Sequence, residues 1–181
     1  DFVRIIGGDR VHVEMLLPPG VEPHAFEPRP KDIVRISKAN LFIYTNPEME
    51  PWVEKILSMD AAKNVTSVNT SKGIKMHEHA HDGEEEEGHH EEDEADEHHH
   101  GHDEHQLDPH VWTDPLNAKI MVENILVAVQ KADPANSDFY TANAKALSAQ
   151  LDAIHEEYRT GLEKAEKRTI IYAGHFAFGY L

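Results

Sequence analysis

Apolar positions recur along the chain with two periods, and their succession predicts strands alternating with helices. Val11-His12-Val13-Glu14-Met15-Leu16-Leu17 is β-branched and partly alternating, then halts at Pro18-Pro19-Gly20, which predicts a strand feeding a Pro-rich loop. Pro30 suits a first helical turn, Asp32 suits its positive end, and Ile33 and Ile36 share a face up to Asn40. Leu41-Phe42-Ile43-Tyr44-Thr45 predicts a second strand. Pro51 then opens a helix carrying Trp52, Ile56 and Met59, and Asn64-Val65-Thr66-Ser67-Val68 predicts a third strand. Farther on, Asp114 caps and Pro115 starts a helix whose Leu116, Met121, Ile125, Leu126 and Val129 are expected to face a core. Strands alternating with helices imply a parallel sheet.

The next segment differs in scale. Tyr140, Ala144, Leu147, Leu151, Ile154, Tyr158 and Leu162 recur at three- and four-residue steps, so one helix is expected from about Ser137 to Lys167. At about 1.5 Å per residue it would reach roughly 45 Å, more than the width of a small domain. A long surface helix or half of a coiled coil is one reading; a spine joining two lobes is the preferred one. Thr169-Ile170-Ile171-Tyr172-Ala173 then predicts the first strand of a second lobe. The expected fold class is therefore α/β: an N-terminal lobe over 1–136 with a parallel sheet flanked by helices, a connecting helix over 137–167, and the start of a second α/β lobe over 168–181. No signal peptide is visible, and with Asp1-Phe2-Val3-Arg4 at one end and Gly179-Tyr180-Leu181 at the other, both ends are expected to be cut rather than finished.

One stretch follows neither period. Between His77 and His105 stand ten His, fourteen Asp or Glu, three Gly and two Ala, and nothing else. Without an apolar residue larger than Ala, the stretch cannot offset the entropy of ordering it, and a solvated, disordered insertion over 77–105 is expected. Its chemistry is metal capture, since imidazoles are common ligands of zinc, copper and nickel and carboxylates add oxygen donors. His77, His79, His81, His89, His90, His98, His99, His100, His102 and His105 are the candidate ligands of this accessory, low-affinity tract. A charged spacer is the plain alternative. The tract has no Lys or Arg, so it supplies fourteen of the seventeen net negative charges and leaves −3 for the rest. That remainder offers no basic stripe for nucleic acid and no apolar run near the length of a membrane span. With no Cys in the chain, disulfides and thiolate metal sites are excluded.

Three further histidines fall where such folds bind ligands, on loops outside the carboxyl ends of strands. His24 follows the first predicted strand, His110 lies between the third strand and its helix, and His175 follows the strand ending at Ala173. Three imidazoles with one further donor make a tetrahedral zinc site. His12 and His155 are not candidates: one alternates outward on a strand, the other flanks a helical stripe.

Around these residues the chain resembles a known family. Gly7-Gly8-Asp9-Arg10-Val11, Leu17-Pro18-Pro19-Gly20 with Pro23-His24 and Glu27-Pro28-Arg29-Pro30-Lys31-Asp32, Asp108-Pro109-His110-Val111-Trp112 and His175-Phe176-Ala177-Phe178-Gly179-Tyr180 look, in order, like the solute-binding proteins of zinc and manganese ABC importers, most closely the ZnuA-like branch. The resemblance implies a metal held between two lobes joined by a rigid long helix and handed to a membrane permease. It also implies a periplasmic or membrane-anchored extracellular setting, and a monomer is expected. His24, His110 and His175 are the ligands that carry over; the family's fourth, a carboxylate of the second lobe, has no counterpart in these residues.

Imidazole-rich donors favour zinc, the expected cargo, over manganese, which is better served by oxygen; manganese-binding relatives tend to carry Glu where His175 stands. Two other classes are the alternatives. A zinc hydrolase would need a water position and a base within reach of it, and apart from Glu22 near His24 no catalytic feature is present, so no enzyme is expected. A metal buffer or surface adhesin is the other alternative.

Overall fold

The structure, a computed structural model, describes residues 1–78, 107–167, 169, 171 and 177–180. Two short parallel strands organise the first half, β1 (Leu41–Tyr44) and β2 (Thr66–Asn69), registered Leu41 to Thr66 through Tyr44 to Asn69. The connection between them carries helix α3 (Trp52–Leu57), as a parallel crossover requires. Successive side chains of β1 serve two different cores, which is the period of two expressed as packing. Leu41 and Ile43 pack on a cluster that contains Ile6, Val122, Ile125, Tyr140 and Leu147, whereas Phe42 and Tyr44 join Ile36, Val53, Ile56 and Ala62 on the other face.

The first core is helical. Helix α1 (Phe2–Gly7), which the sequence reading did not anticipate, brings in Ile6; α4 (Pro115–Ala132) and α5 (Ser137–Glu163) supply the rest. Asn143 of α5 donates to the Ile6 carbonyl at 3.0 Å, holding α1 in place. Gly8 ends α1 at φ 52, and a Cβ there would meet the Phe139 ring at 2.9 Å, so backbone and space both call for glycine. The second core rests on α2 (Pro30–Ser37), whose first turn is closed by the Asp32 carboxylate accepting the Arg29 N–H at 3.0 Å.

The structure corrects several expectations. Val11–Leu17 is not a strand: among the described residues no backbone pairs with it, and side chains of Arg4 and Arg35 donate to the carbonyls of Val13 and Met15. Met59 lies beyond α3, and Leu116 of α4 is exposed rather than in the core. The long helix exists with 27 residues, about 40 Å at about 1.5 Å per residue. Only its first half is buried, through Tyr140, Ala144, Leu147 and Leu151, while Ile154, Tyr158 and Leu162 are exposed. The reason is length: Lys119 near the start of α4 pairs with Asp152, so α5 outruns its partner from there on. Of the strand expected at 169–173 only Thr169 and Ile171 are described, in no regular element, and its other residues and the bulk of the insertion lie outside the described residues. No helix among the described residues is long and apolar enough to cross a membrane.

Candidate metal site

The two strands end side by side, and the backbone continues the pairing for one more turn. The Thr70 and Ser71 N–H groups donate to the carbonyls of Tyr44 and Thr45 at 3.0 and 3.1 Å. Asn46 follows immediately. It is fully buried, and its amide nitrogen donates to Ser71 Oγ at 3.3 Å and to the Pro109 carbonyl at 3.0 Å, while its Oδ1 accepts the Met49 N–H at 2.7 Å. Asn46 thus joins both strand ends to the loop that bears His110, across 63 residues of sequence.

His110 is buried, with 4 % of its surface exposed. The Asp108 carboxylate accepts its backbone N–H at 3.0 Å and stands 2.7 Å from its Nδ1. A carboxylate at Nδ1 holds the proton of the neutral ring there and directs the Nε2 lone pair away from Asp108, the arrangement in which an outer carboxylate orients and strengthens a metal-binding imidazole. Thr113 fixes the other side by donating its hydroxyl to the His110 carbonyl at 2.9 Å, and the Trp112 ring stands edge-on at 5.5 Å.

His24 arrives from the Pro-rich loop. Gly20, at φ 79, makes the turn that the Val21 N–H closes on the Pro18 carbonyl. The side chain of His24 is about one third exposed, at 34 %. Trp52 at the start of α3 donates its indole N–H to the Pro23 carbonyl at 3.1 Å and packs edge-on against Phe26. Glu22 accepts the His24 N–H at 3.4 Å and lies 3.9 Å from its Nε2.

The His24 and His110 ring centroids are 6.0 Å apart at 78°. Two imidazoles on one tetrahedral zinc, each with Zn–N of about 2.0–2.1 Å, would place their centroids about 5 Å apart. The observed centroid separation exceeds that spacing by about 1 Å. His175 and the nine tract histidines from His79 to His105 lie outside the described residues. Among the described residues no group of three or more metal-ligating side chains is assembled. His12 is exposed beside Glu14, away from the pair, and His155 sits half-buried on α5.

The structure gives His77 a place apart from the rest of the tract. Its carbonyl accepts the Asp108 N–H at 2.8 Å, its ring stacks on Tyr180 at 4.5 Å, and Glu78 bridges to Leu107. The Tyr180 hydroxyl accepts the His77 N–H at 2.9 Å and donates to the Asp108 carbonyl at 2.7 Å. Burial pushes the Tyr180 phenol above its ordinary value, which already lies well above neutral pH. The base of the insertion is in this way tied to the loop that orients His110.

The sequence points to His24 and His110 as candidates but not to most of the residues that hold them. Asp108 was visible two positions before His110. Asn46, Trp52 and Tyr180 act across 63, 29 and 72 residues, and no local pattern marks them. A groove of about 590 Å³ between α2 and α3, lined by Glu27, Pro30, Ile33, Trp52, Ile56 and Met59, includes neither histidine.

Residues 1–181 match the family described as "Zinc-uptake complex component A periplasmic". Among curated relatives, the high-affinity zinc uptake system protein ZnuA of Bacillus subtilis is 42% identical over 181 residues, all of this chain and 54% of the relative, so the chain spans about half of that relative's length. Among solved structures, the metal-dependent lipoprotein YcdH from Bacillus subtilis is similar at a TM-score of 0.74 and 34% identity, over 91% of this chain and 53% of that one. Zn(II)-bound AdcA from Streptococcus pneumoniae is similar at a TM-score of 0.79 and 28% identity, over 99% of this chain and 34% of that one.

Proposed function

Because the chain belongs to the family of the periplasmic zinc-uptake component A, we propose that it is part of an extracytoplasmic solute-binding protein that captures Zn2+ and delivers it to the membrane permease of an ABC importer. His24 and His110 are ligands contributed by a lobe spanning 1–136, the helix over 137–167 is the spine, and His175, in the segment 168–181 that opens a second lobe, is the third ligand. The fourth donor belongs to the part of the protein beyond these residues. The tract from His79 to His105 gathers further ions weakly.

The observation that carries this reading is the buried His110 ring, backed by Asp108 at 2.7 Å and facing His24 at 6.0 Å beside the carboxyl ends of two parallel strands. An outer carboxylate placed at Nδ1 orients an imidazole and raises its basicity as a metal ligand. Zinc is preferred to manganese because all three proposed donors are imidazole nitrogens. The chemistry of this reading is binding and release, in keeping with relatives named as uptake and binding proteins.

In the full-length protein, His24→Ala, His110→Ala or His175→Ala is expected to lower zinc affinity far more than His12→Ala or His155→Ala. Calorimetric titration of the five variants checks this, and equal effects across all five would remove the assignment.

A further inference from the structure

The two histidines are presented in the same way. Each stands third in an acid-Pro-His triplet, Glu22-Pro23-His24 and Asp108-Pro109-His110. In each, the acidic side chain accepts the N–H of the histidine, at 3.4 Å from Glu22 and 3.0 Å from Asp108. In each, the proline carbonyl accepts a side-chain N–H, from Trp52 at 3.1 Å and from Asn46 at 3.0 Å. A proline carbonyl and the next residue's N–H belong to one rigid peptide plane. Gripping that plane at both edges fixes the direction in which the histidine Cα, and hence its ring, leaves the backbone.

Both carbonyl grips come from a single short segment, 46–52, which runs from the end of β1 to the first residue of α3. Its shape is set internally. Asn46 Oδ1 takes the Met49 N–H at 2.7 Å, the Asn46 carbonyl takes the Glu50 N–H at 3.0 Å, and the Glu50 carboxylate takes the N–H groups of Thr45 and Asn46 at 2.9 and 3.3 Å. Asn46 and Trp52 are therefore held at a fixed separation, and each holds one of the two histidine-bearing loops.

We propose that segment 46–52 is the positioning element that sets the spacing and angle of His24 and His110, with Asn46 acting through the Pro109 carbonyl and Trp52 through the Pro23 carbonyl. This rests on the reading of those histidines as zinc ligands. Neither Asn46 nor Trp52 touches the metal. Their effect is preorganisation: two imidazoles already near their bound geometry lose less freedom when the ion arrives. The indole of Trp52 shares its acceptor with the Phe26 N–H, which lies 3.3 Å from the Pro23 carbonyl, so its loss should weigh less than that of Asn46.

The test uses the full-length protein with Asn46→Ala, Asn46→Asp and Trp52→Phe, the last keeping an aromatic ring and deleting only the donor. Tyr140→Phe, which removes a buried hydrogen bond elsewhere, is the control for lost stability. Zinc affinity is read by chelator competition, and site geometry by the d–d absorption of the Co2+-substituted protein. Loss of a residue that orients ligands is expected to weaken zinc binding about 10- to 100-fold for Asn46→Ala, less for Trp52→Phe, and to shift the cobalt spectrum in both. The control should alter neither. If Asn46→Ala cannot be purified folded, Asn46→Asp and Trp52→Phe carry the measurement. Folded variants with unchanged affinity and unchanged cobalt spectrum would overturn the positioning role. If His24→Ala and His110→Ala also left zinc binding intact, the failure would lie in the ligand assignment instead.

Discussion

At the scale of single residues, Tyr140 shows how burial and one hydrogen bond couple stability to pH. The residue is fully buried at the junction of α4 and α5, and its hydroxyl donates to Asp133 at 2.6 Å. Burial, then that bond, pushes its phenol from 10.0 up to about 12. The folded protein holds this proton more tightly than the unfolded chain does. The stabilisation is therefore complete below pH 10 and is lost as pH rises towards 12. Tyr140→Phe should cost about 1–2 kcal/mol at neutral pH, the usual loss when one partner of a buried hydrogen bond is removed. It should also flatten the alkaline decline, and denaturant unfolding at pH 8 and pH 11 would measure both. Asp133 is held below its ordinary value by the Tyr140 and Asn136 hydrogen bonds, so its own contribution is lost only as pH falls into the acid range.

The elements differ in how strongly their own residues fix them. Helix α4 is bounded by local chemistry: Asp114 accepts the Leu116 N–H at 2.8 Å, and Pro115 sits where a missing N–H costs nothing. Asp114→Ala should lower stability by about 1 kcal/mol. Thermal unfolding would show it, and zinc affinity should change little because the grips on His110 come from Asp108, Asn46 and Thr113. Helix α5 is the opposite case. Its apolar period continues evenly through Leu162, yet burial stops near Leu151 because α4 has ended. Periodicity predicts which face of a helix is apolar; how far along the helix that face finds a partner depends on the neighbour. The segment 11–17 makes the same point for strands, since β-branched alternation yields a strand only where another strand supplies the hydrogen bonds.

For the whole molecule, the question is how the insertion relates to the site. Its base is anchored by the Glu78–Leu107 bridge, the Asp108 N–H on the His77 carbonyl and the Tyr180 hydroxyl. Deleting 79–105 while keeping His77, Glu78 and Leu107 should leave the thermal midpoint of the full-length protein nearly unchanged and the tight zinc in place. Stoichiometry should fall by the ions the tract holds. A deletion that abolished tight binding would make the tract part of the site. Acidification offers a second measurement. Only neutral imidazole binds metal, its unperturbed pKa is about 6.5, and fourteen carboxylates in the tract favour the protonated form. Zinc titrations between about pH 5 and 7 should show the tract emptying first, and the site at His24 and His110 holding its ion to lower pH.

The sequence by itself determined the alternation of helices and strands, the parallel pairing, the long helix, the composition of the His- and acid-rich tract and two of the proposed ligands with the loops that carry them. These are local properties. Periodicity, caps, proline and side-chain chemistry act within a few residues and remain visible in one dimension. Only the tertiary structure decided that, among the described residues, Val11–Leu17 has no paired strand and α5 is exposed beyond α4, and that Asn46 grips the loop of His110. It also showed that one segment between β1 and α3 holds both histidine loops. Asn46 and Trp52 reach the two histidine loops across 63 and 29 residues, and contacts of that range leave no period and no spacing in the chain.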